Sequence, residues 1–436
     1  MSEITPPRDL EPARLRTDVF LTFAGKGATL LLGLATAVVI ARRLGASGQG
    51  IFAVAYTLTL MLVQVGGLGL TAANTFYTAR SPDQVPRIIG NALWLAGLLG
   101  LALGCAGVLI KLAVPGVVEG LDWAPLLVTL AAVPAALAAL FLQSVLLGEG
   151  RMVAYNSVEV TQAGATLAAL LAGFAFADLH LTGTLAILGL GRYGAAFAYV
   201  VLLARRSHIA GRPDTGLARS MLGYGFRVYV AILVSFLVIR VDLLLVNAYL
   251  GRTEAGLYSI AATLADGMFV LPTVVALNLF PRVARGDPTN ASAEVFRSVA
   301  VLYGLICLAT VPIAGIAIRA FFGSEFEGAT SLYYWLLPGI YSLGLLTILS
   351  HHFAGRGFPR RAMAFWIVGL GINLALNFAF LPGRGAWVAA LASSITYTVL
   401  LALFMWLFAG EAGGFGAMRP RPGEVVRFVR VAVSRS

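Results

Sequence analysis

Seven ionisable side chains interrupt long apolar stretches of this chain: Lys26, Glu159, Arg192, Arg227, Arg240, Asp242 and Asp266. Inside a hydrocarbon layer each costs about 2.5–3.5 kcal/mol on insertion scales, so most of them must face a cavity or a partner. Lys26, Arg192, Arg227 and Arg240 are the candidate substrate-binding cations. Glu159, Asp242 and Asp266 either bridge to cations or carry a coupling ion. Arg240 and Asp242 are two residues apart, about 200° around a helix, so they cannot pair with each other and at least one needs a partner on another helix. Lys26 lies about seven residues into its apolar run, roughly 10 Å along a helix, too deep to snorkel easily. Arg192 is near the middle of its run. Arg227 is near the start of its own, where a snorkelling side chain explains it as well as a bound anion does. Asn373 and Asn377, spaced i, i+4, share a helical face and serve either as interhelical hydrogen bonds or as polar cavity groups.

Three other patterns carry less. "GLGRYG" at 189–194 has the dinucleotide spacing, but it sits in an apolar helical run with no strand before it, so its glycines are read as helix-packing residues. His351 and His352 are adjacent, point about 100° apart on a helix and make a poor metal pair. "NAS" at 290–292 falls on the side expected to be cytoplasmic and is no glycosylation site. No catalytic set and no metal site are expected.

These side chains need elements to hold them, and composition says what those elements are. With 59% hydrophobic and 12% charged residues, far below the quarter or so of charged residues usual in soluble domains, the chain is a polytopic membrane protein. Twelve apolar runs are long enough to cross a bilayer as helices: 19–41, 51–76, 88–110, 124–147, 153–177, 183–204, 224–247, 256–280, 298–321, 331–350, 362–381 and 385–408. Pro134, Pro272, Pro312 and Pro338 are expected to bend their spans. Lys26 interrupts the first run, which argues against a cleaved signal peptide. Cys105 and Cys307 lie within spans and read as small packing residues.

The loops fix an expected orientation. With both termini cytoplasmic, 21 cations fall inside and 6 outside, as the positive-inside rule requires. The net charge of +11 is therefore spent on membrane insertion and on anionic lipid headgroups, and nucleic acid is not an expected partner. The tail at 419–436 is either a surface-lying amphipathic segment or disordered.

The chain also repeats itself. "ARRLGASGQGIFAVAYTL" at 41–58 returns as "NAYLGRTEAGLYSIAATL" at 247–264, and "LGEG" at 147–150 returns as "AGRG" at 354–357. The offset of 206–207 residues defines two halves of six spans each. An even number of spans gives the halves one orientation, so the fold class is all-α: two parallel-repeat six-helix bundles around a central cleft, suited to alternating access. The expected divisions are 1–204, a cytoplasmic linker at 205–222, 223–410, and a tail at 411–436. The repeated phrase is expected to be a hairpin turn on the outer surface, its glycines letting the chain reverse.

Several stretches carry a resemblance: "ARRLGASGQGIFAVA" at 41–55 with "GL" at 69–70; Asp242 followed by "YLGRTEAGLYSIA" at 249–261; "LFPRVAR" at 279–285; and "GINLALNFAFLPGRGAWVAAL" at 371–391. In order and spacing they resemble the polysaccharide-biosynthesis flippases (Wzx-type) of the multidrug/oligosaccharidyl-lipid/polysaccharide exporter superfamily. The resemblance implies transport of an undecaprenyl-pyrophosphate-linked oligosaccharide to the outer leaflet of the bacterial inner (plasma) membrane, for O-antigen, capsule or exopolysaccharide. It implies no covalent chemistry and no cofactor, with a polysaccharide polymerase and glycosyltransferases as pathway partners. A diphosphate calls for several cations in a dry cavity, arginine above all for its forked geometry. Two alternatives remain: a cation or drug antiporter of the same superfamily, which would need an acidic cavity, and a membrane-embedded glycosyltransferase or ligase, which would need a larger outer loop than this chain has.

Overall fold

The computed structural model describes residues 12–284, 286, 288–357 and 359–421. The described residues form thirteen α-helices and no strands: α1 (Pro12–Gly67), α2 (Leu70–Arg80), α3 (Val85–Ala113), α4 (Trp123–Gly148), α5 (Met152–Phe176), α6 (Leu181–Ala204), α7 (Thr215–Leu250), α8 (Arg252–Met268), α9 (Val270–Ala284), α10 (Thr289–Phe321), α11 (Ala329–Gly355), α12 (Arg360–Phe380) and α13 (Trp387–Ala412). Most of the tail, from residue 422, and the first eleven residues lie outside the described set.

Among the described residues, ten helices are long and apolar enough to cross a membrane, or eleven if the pair α8–α9, bent by 42°, is one span. The twelfth expected span is contained in α1, whose helical path breaks at Gly45 (φ 66°, ψ 179°). The bend between α8 and α9 follows from Pro272. A proline ring clashes with the carbonyl four residues earlier, and α8 ends at Met268.

The repeat is visible in the helix boundaries. α4 and α11 begin at residues 123 and 329, α6 and α13 at 181 and 387, and each pair is offset by 206. The most buried spans, α4 and α11, are related by this shift, at 67% and 72% buried.

The chain forms two compact units. Unit 1 comprises residues up to Ile40, Leu62–Val108 and Trp123–Tyr229; unit 2 comprises Ala41–Met61, Leu109–Asp122 and the chain from Val230 onward. In unit 1, α4 packs along α6 and α2, and α5 along α6; in unit 2, α11 is the central helix, flanked by α13, α9, α10 and α8, with α12 against α13. Unit 2 thus includes the repeated phrase from both halves of the sequence.

The phrase itself departs from the expected turn. Its first glycines, Gly45 and Gly251, take left-handed φ values of 66° and 82° and break the helical path. Its last glycines, Gly50 and Gly256, lie within α1 and α8, and neither has a positive φ. They are needed because two backbones meet there. A Cβ on Gly50 would overlap the Arg252 carbonyl, and a Cβ on Gly256 would overlap the Ala46 carbonyl. The contact is reciprocal, since Arg252 stands 206 residues after Ala46 as Gly256 does after Gly50. Gln49 donates to Ser259 across the same seam (3.2 Å). Close packing of two helices, and not chain reversal, is what these two glycines serve.

Candidate functional site

The polar groups inside the spans gather in separate clusters, each within one unit. In unit 1, α1 presents Lys26 to α5. Its ammonium donates to the Glu159 Oε2 (2.6 Å) and to the Tyr155 hydroxyl (2.5 Å), and lies 4.6 Å from the Tyr155 ring centre. Gln143, on α4, donates to the other carboxylate oxygen of Glu159 (2.7 Å). Three helices are joined by one anion. The Lys26 side chain keeps 49% of its surface accessible and Glu159 22%, so the pair is open on the lysine side.

Arg192, on α6, is partly buried and has no hydrogen bond or ion pair among the described residues. Arg192 shares unit 1 with the Lys26–Glu159 cluster, and Tyr199 follows it two turns further along α6. "GLGRYG" lies wholly within α6, where Gly191 passes close to the Thr166 hydroxyl of α5. The side chain of Arg227 lies outside the described residues.

In unit 2, Arg240 bridges to Asp266 at 2.8 Å, across to the last turn of α8. Asp242, two residues on, points elsewhere as the helical geometry requires. It is 1% exposed. Its carboxylate accepts from Asn377 (3.1 Å) and Tyr258 (3.2 Å), and Ser393 donates to it as well. Asn377 also donates to the Asn373 side chain (3.3 Å), so the i, i+4 asparagines of α12 form one unit with the aspartate. All partners of this buried charge are neutral. The Asn377 Oδ1 beside it is buried without a hydrogen-bond partner.

The charges therefore sort themselves. Lys26 pairs with Glu159 and Arg240 with Asp266, while among the described residues Arg192 has no anion and Asp242 no cation. A carboxylate surrounded by hydroxyl and amide groups, with a spare buried oxygen beside it, can accept a proton or a monovalent cation with hard oxygen ligands. A half-accessible ammonium can receive an oxyanion.

Sequence reasoning missed Tyr155, Gln143, Tyr258 and Ser393. Gln143 had a usable signal, as a lone amide in the apolar run of α4; tyrosines and serines in membrane helices are too common to stand out. A further cluster was also missed, at the ends of α10, α11 and α13. His352, fully buried, bonds to Ser292 (2.8 Å) and contacts Glu411 (3.3 Å), and Arg356 holds both Glu411 (2.9 Å) and Thr289 (2.8 Å). These bonds clasp the ends of the three helices together.

A family model described as polysaccharide biosynthesis protein matches residues 15–286. No curated protein matches the sequence at a significant level. Among solved structures, the fold is similar to the lipid II flippase MurJ in an inward closed conformation, at a TM-score of 0.74 and 14% identity over 89% of this chain and 87% of that one. It is also similar to an inward-facing multidrug resistance MATE family transporter of the MOP superfamily, at 0.67 and 15% over 87% and 93%. A third similar structure is a MOP superfamily transporter from Pyrococcus furiosus, described by the reverse polarity of its binding pocket, at 0.60 and 16% over 91% and 95%.

Proposed function

The chain belongs to the polysaccharide biosynthesis protein family, and from that premise we propose that it is a flippase for an undecaprenyl-pyrophosphate-linked oligosaccharide. It carries this lipid from the cytoplasmic to the outer leaflet of the bacterial inner membrane by alternating access, with both termini cytoplasmic. It makes and breaks no covalent bond, and it works between the glycosyltransferases that build the lipid-linked unit and the polymerase that consumes it. The observation that carries the reading is Arg192, a cation in a membrane helix with no ion pair among the described residues, in the same unit as the half-accessible Lys26. A diphosphate supplies the missing negative charge. Asp242 is the coupling site, taking up a proton or sodium ion.

The test uses a strain whose surface polysaccharide depends on this protein. Lys26→Gln and Arg192→Gln lower polysaccharide at normal protein levels, by about ten- to a hundredfold in substrate affinity for a lost charge-assisted contact, whereas Arg206→Gln in the linker does not. The similarity to multidrug transporters motivates a second reading as a cation antiporter. That reading requires drug efflux that survives both neutralisations, with polysaccharide unchanged in all strains.

A further inference from the structure

We propose that Glu159 is a built-in competitor of the substrate: it occupies Lys26 as a stand-in for a phosphate oxygen, and must be displaced for the diphosphate to bind. The inference rests on the flippase reading and names how its cationic site is regulated. An ammonium has three donors. Lys26 gives one to Glu159 and one to Tyr155, and no described residue is recorded as taking the third. With about half of the side chain accessible, a phosphate oxygen can engage that third donor first. It can then exchange for Glu159, since an anion of higher charge competes for the same donor.

The carboxylate has somewhere to go. Gln143 on α4 already holds its other oxygen at 2.7 Å, so a released Glu159 keeps one neutral hydrogen bond. Tyr155 sits one turn before Glu159 on α5 and shares Lys26 with it, which lets the ammonium swing from carboxylate to substrate without losing its phenol contact. Titratable groups facing Glu159 are Lys26 from α1, Tyr155 on its own helix and Tyr199 from α6. The exchange also works in reverse, because a Glu159 that returns to Lys26 expels the phosphate. Such a competitor weakens binding and speeds release, whereas a purely structural ion pair strengthens whatever is built on it.

The experiment titrates undecaprenyl diphosphate in detergent micelles against the purified full chain, with undecaprenol as the control that lacks phosphates. Glu159→Gln keeps the amide-sized contact to Gln143 and removes the competing charge. It is expected to tighten diphosphate binding by about tenfold or more while slowing export, and to leave undecaprenol binding unchanged. Lys26→Gln weakens binding, and the double variant matches Lys26→Gln, because the gain passes through the lysine. Unchanged or weaker binding in Glu159→Gln, or a gain that persists in the double variant, overturns the proposal. Should Glu159→Gln fail to fold, Glu159→Asp shortens the reach to Lys26 and must give an intermediate gain; no gain there overturns it equally. A wild-type chain that binds undecaprenyl diphosphate no better than undecaprenol refutes the flippase reading instead.

Discussion

Replacing Asp242 by asparagine separates charge from shape at the buried site of unit 2. The carboxamide has nearly the volume of the carboxylate and keeps one acceptor oxygen, while the other becomes a donor. The Tyr258 and Ser393 hydroxyls, which both donate to Oδ2 in the wild type, can rotate to accept from the new amide. The structural cost is therefore about one hydrogen bond, roughly 1 kcal/mol. Alanine at the same position is different: it strands the donors of Asn377, Tyr258 and Ser393 at about 1–3 kcal/mol each, enough to threaten the fold. The functional cost of asparagine is out of proportion to its structural one, because a neutral side chain can neither take up a proton nor balance a cation. Thermal unfolding of purified protein across sodium concentration and across pH measures this. A coupling ion at a hundred times its dissociation constant stabilises the wild type by about 2.7 kcal/mol. Asp242→Asn should lose that gain, unfold within a few degrees of ion-free wild type, and fail to export polysaccharide. An Asp242→Asn protein that retains both the ion-dependent stabilisation and normal export refutes Asp242 as the coupling site.

Glycine to alanine inside a helix normally stabilises by up to about 1 kcal/mol, yet Gly50→Ala and Gly256→Ala should each destabilise by about 1–3 kcal/mol, since backbone carbonyls stand where the Cβ would go; size-exclusion yield and melting temperature read this, and unchanged values would remove the close-approach account. Arg240→Leu should lower folded yield more than the double change Arg240→Leu with Asp266→Leu, because the single change leaves Asp266 without its 2.8 Å partner; equal yields would show the pair to be dispensable. Single cysteines at Ser47 and Thr253, in a background lacking Cys105 and Cys307, should react with an impermeant thiol reagent in intact cells, and labelling at Ser207 in their place would reverse the topology.

Hydropathy made the spans legible because a bilayer imposes one length on every crossing helix, and the repeat offset foretold that α4 and α11 would start 206 residues apart. The breaks were harder. Pro272 announced the bend of α8–α9, but Gly45 leaves the apolar pattern of α1 uninterrupted, and only its dihedral reveals the division. A glycine also reads the same whether it supplies a left-handed turn or a close approach, so the sequence points to a turn at Gly50 and Gly256 where the structure has a close helix contact. The ion pairs were half legible. Helical geometry ruled out Arg240 with Asp242, but the choice between Asp266 and Glu159 depends on which helices are neighbours, and no local pattern encodes that. For Asp242, the asparagine spacing on α12 marked two of its surroundings; Tyr258 and Ser393 come from helices whose register against α7 is set by packing alone.

The two halves match in their helix boundaries but not in their charge. Shifting by 206–207 residues carries Asp242 back to Thr36, Asn373 to Thr166, Asn377 to Leu170 and Ser393 to Ile187, and no carboxylate survives the operation. A carrier with one coupling carboxylate moves one cation per cycle. That single charge is worth about 2.3 kcal/mol for every 100 mV across the membrane, roughly a fiftyfold concentration ratio. The proposed cargo adds to the same account, for a diphosphate leaving a negative interior also runs downhill in voltage. On the proposed reading, with Asp242 as the coupling site and a diphosphate as cargo, export is electrogenic, and a cell that loses its membrane potential should stop displaying its polysaccharide before it stops making the lipid-linked precursor.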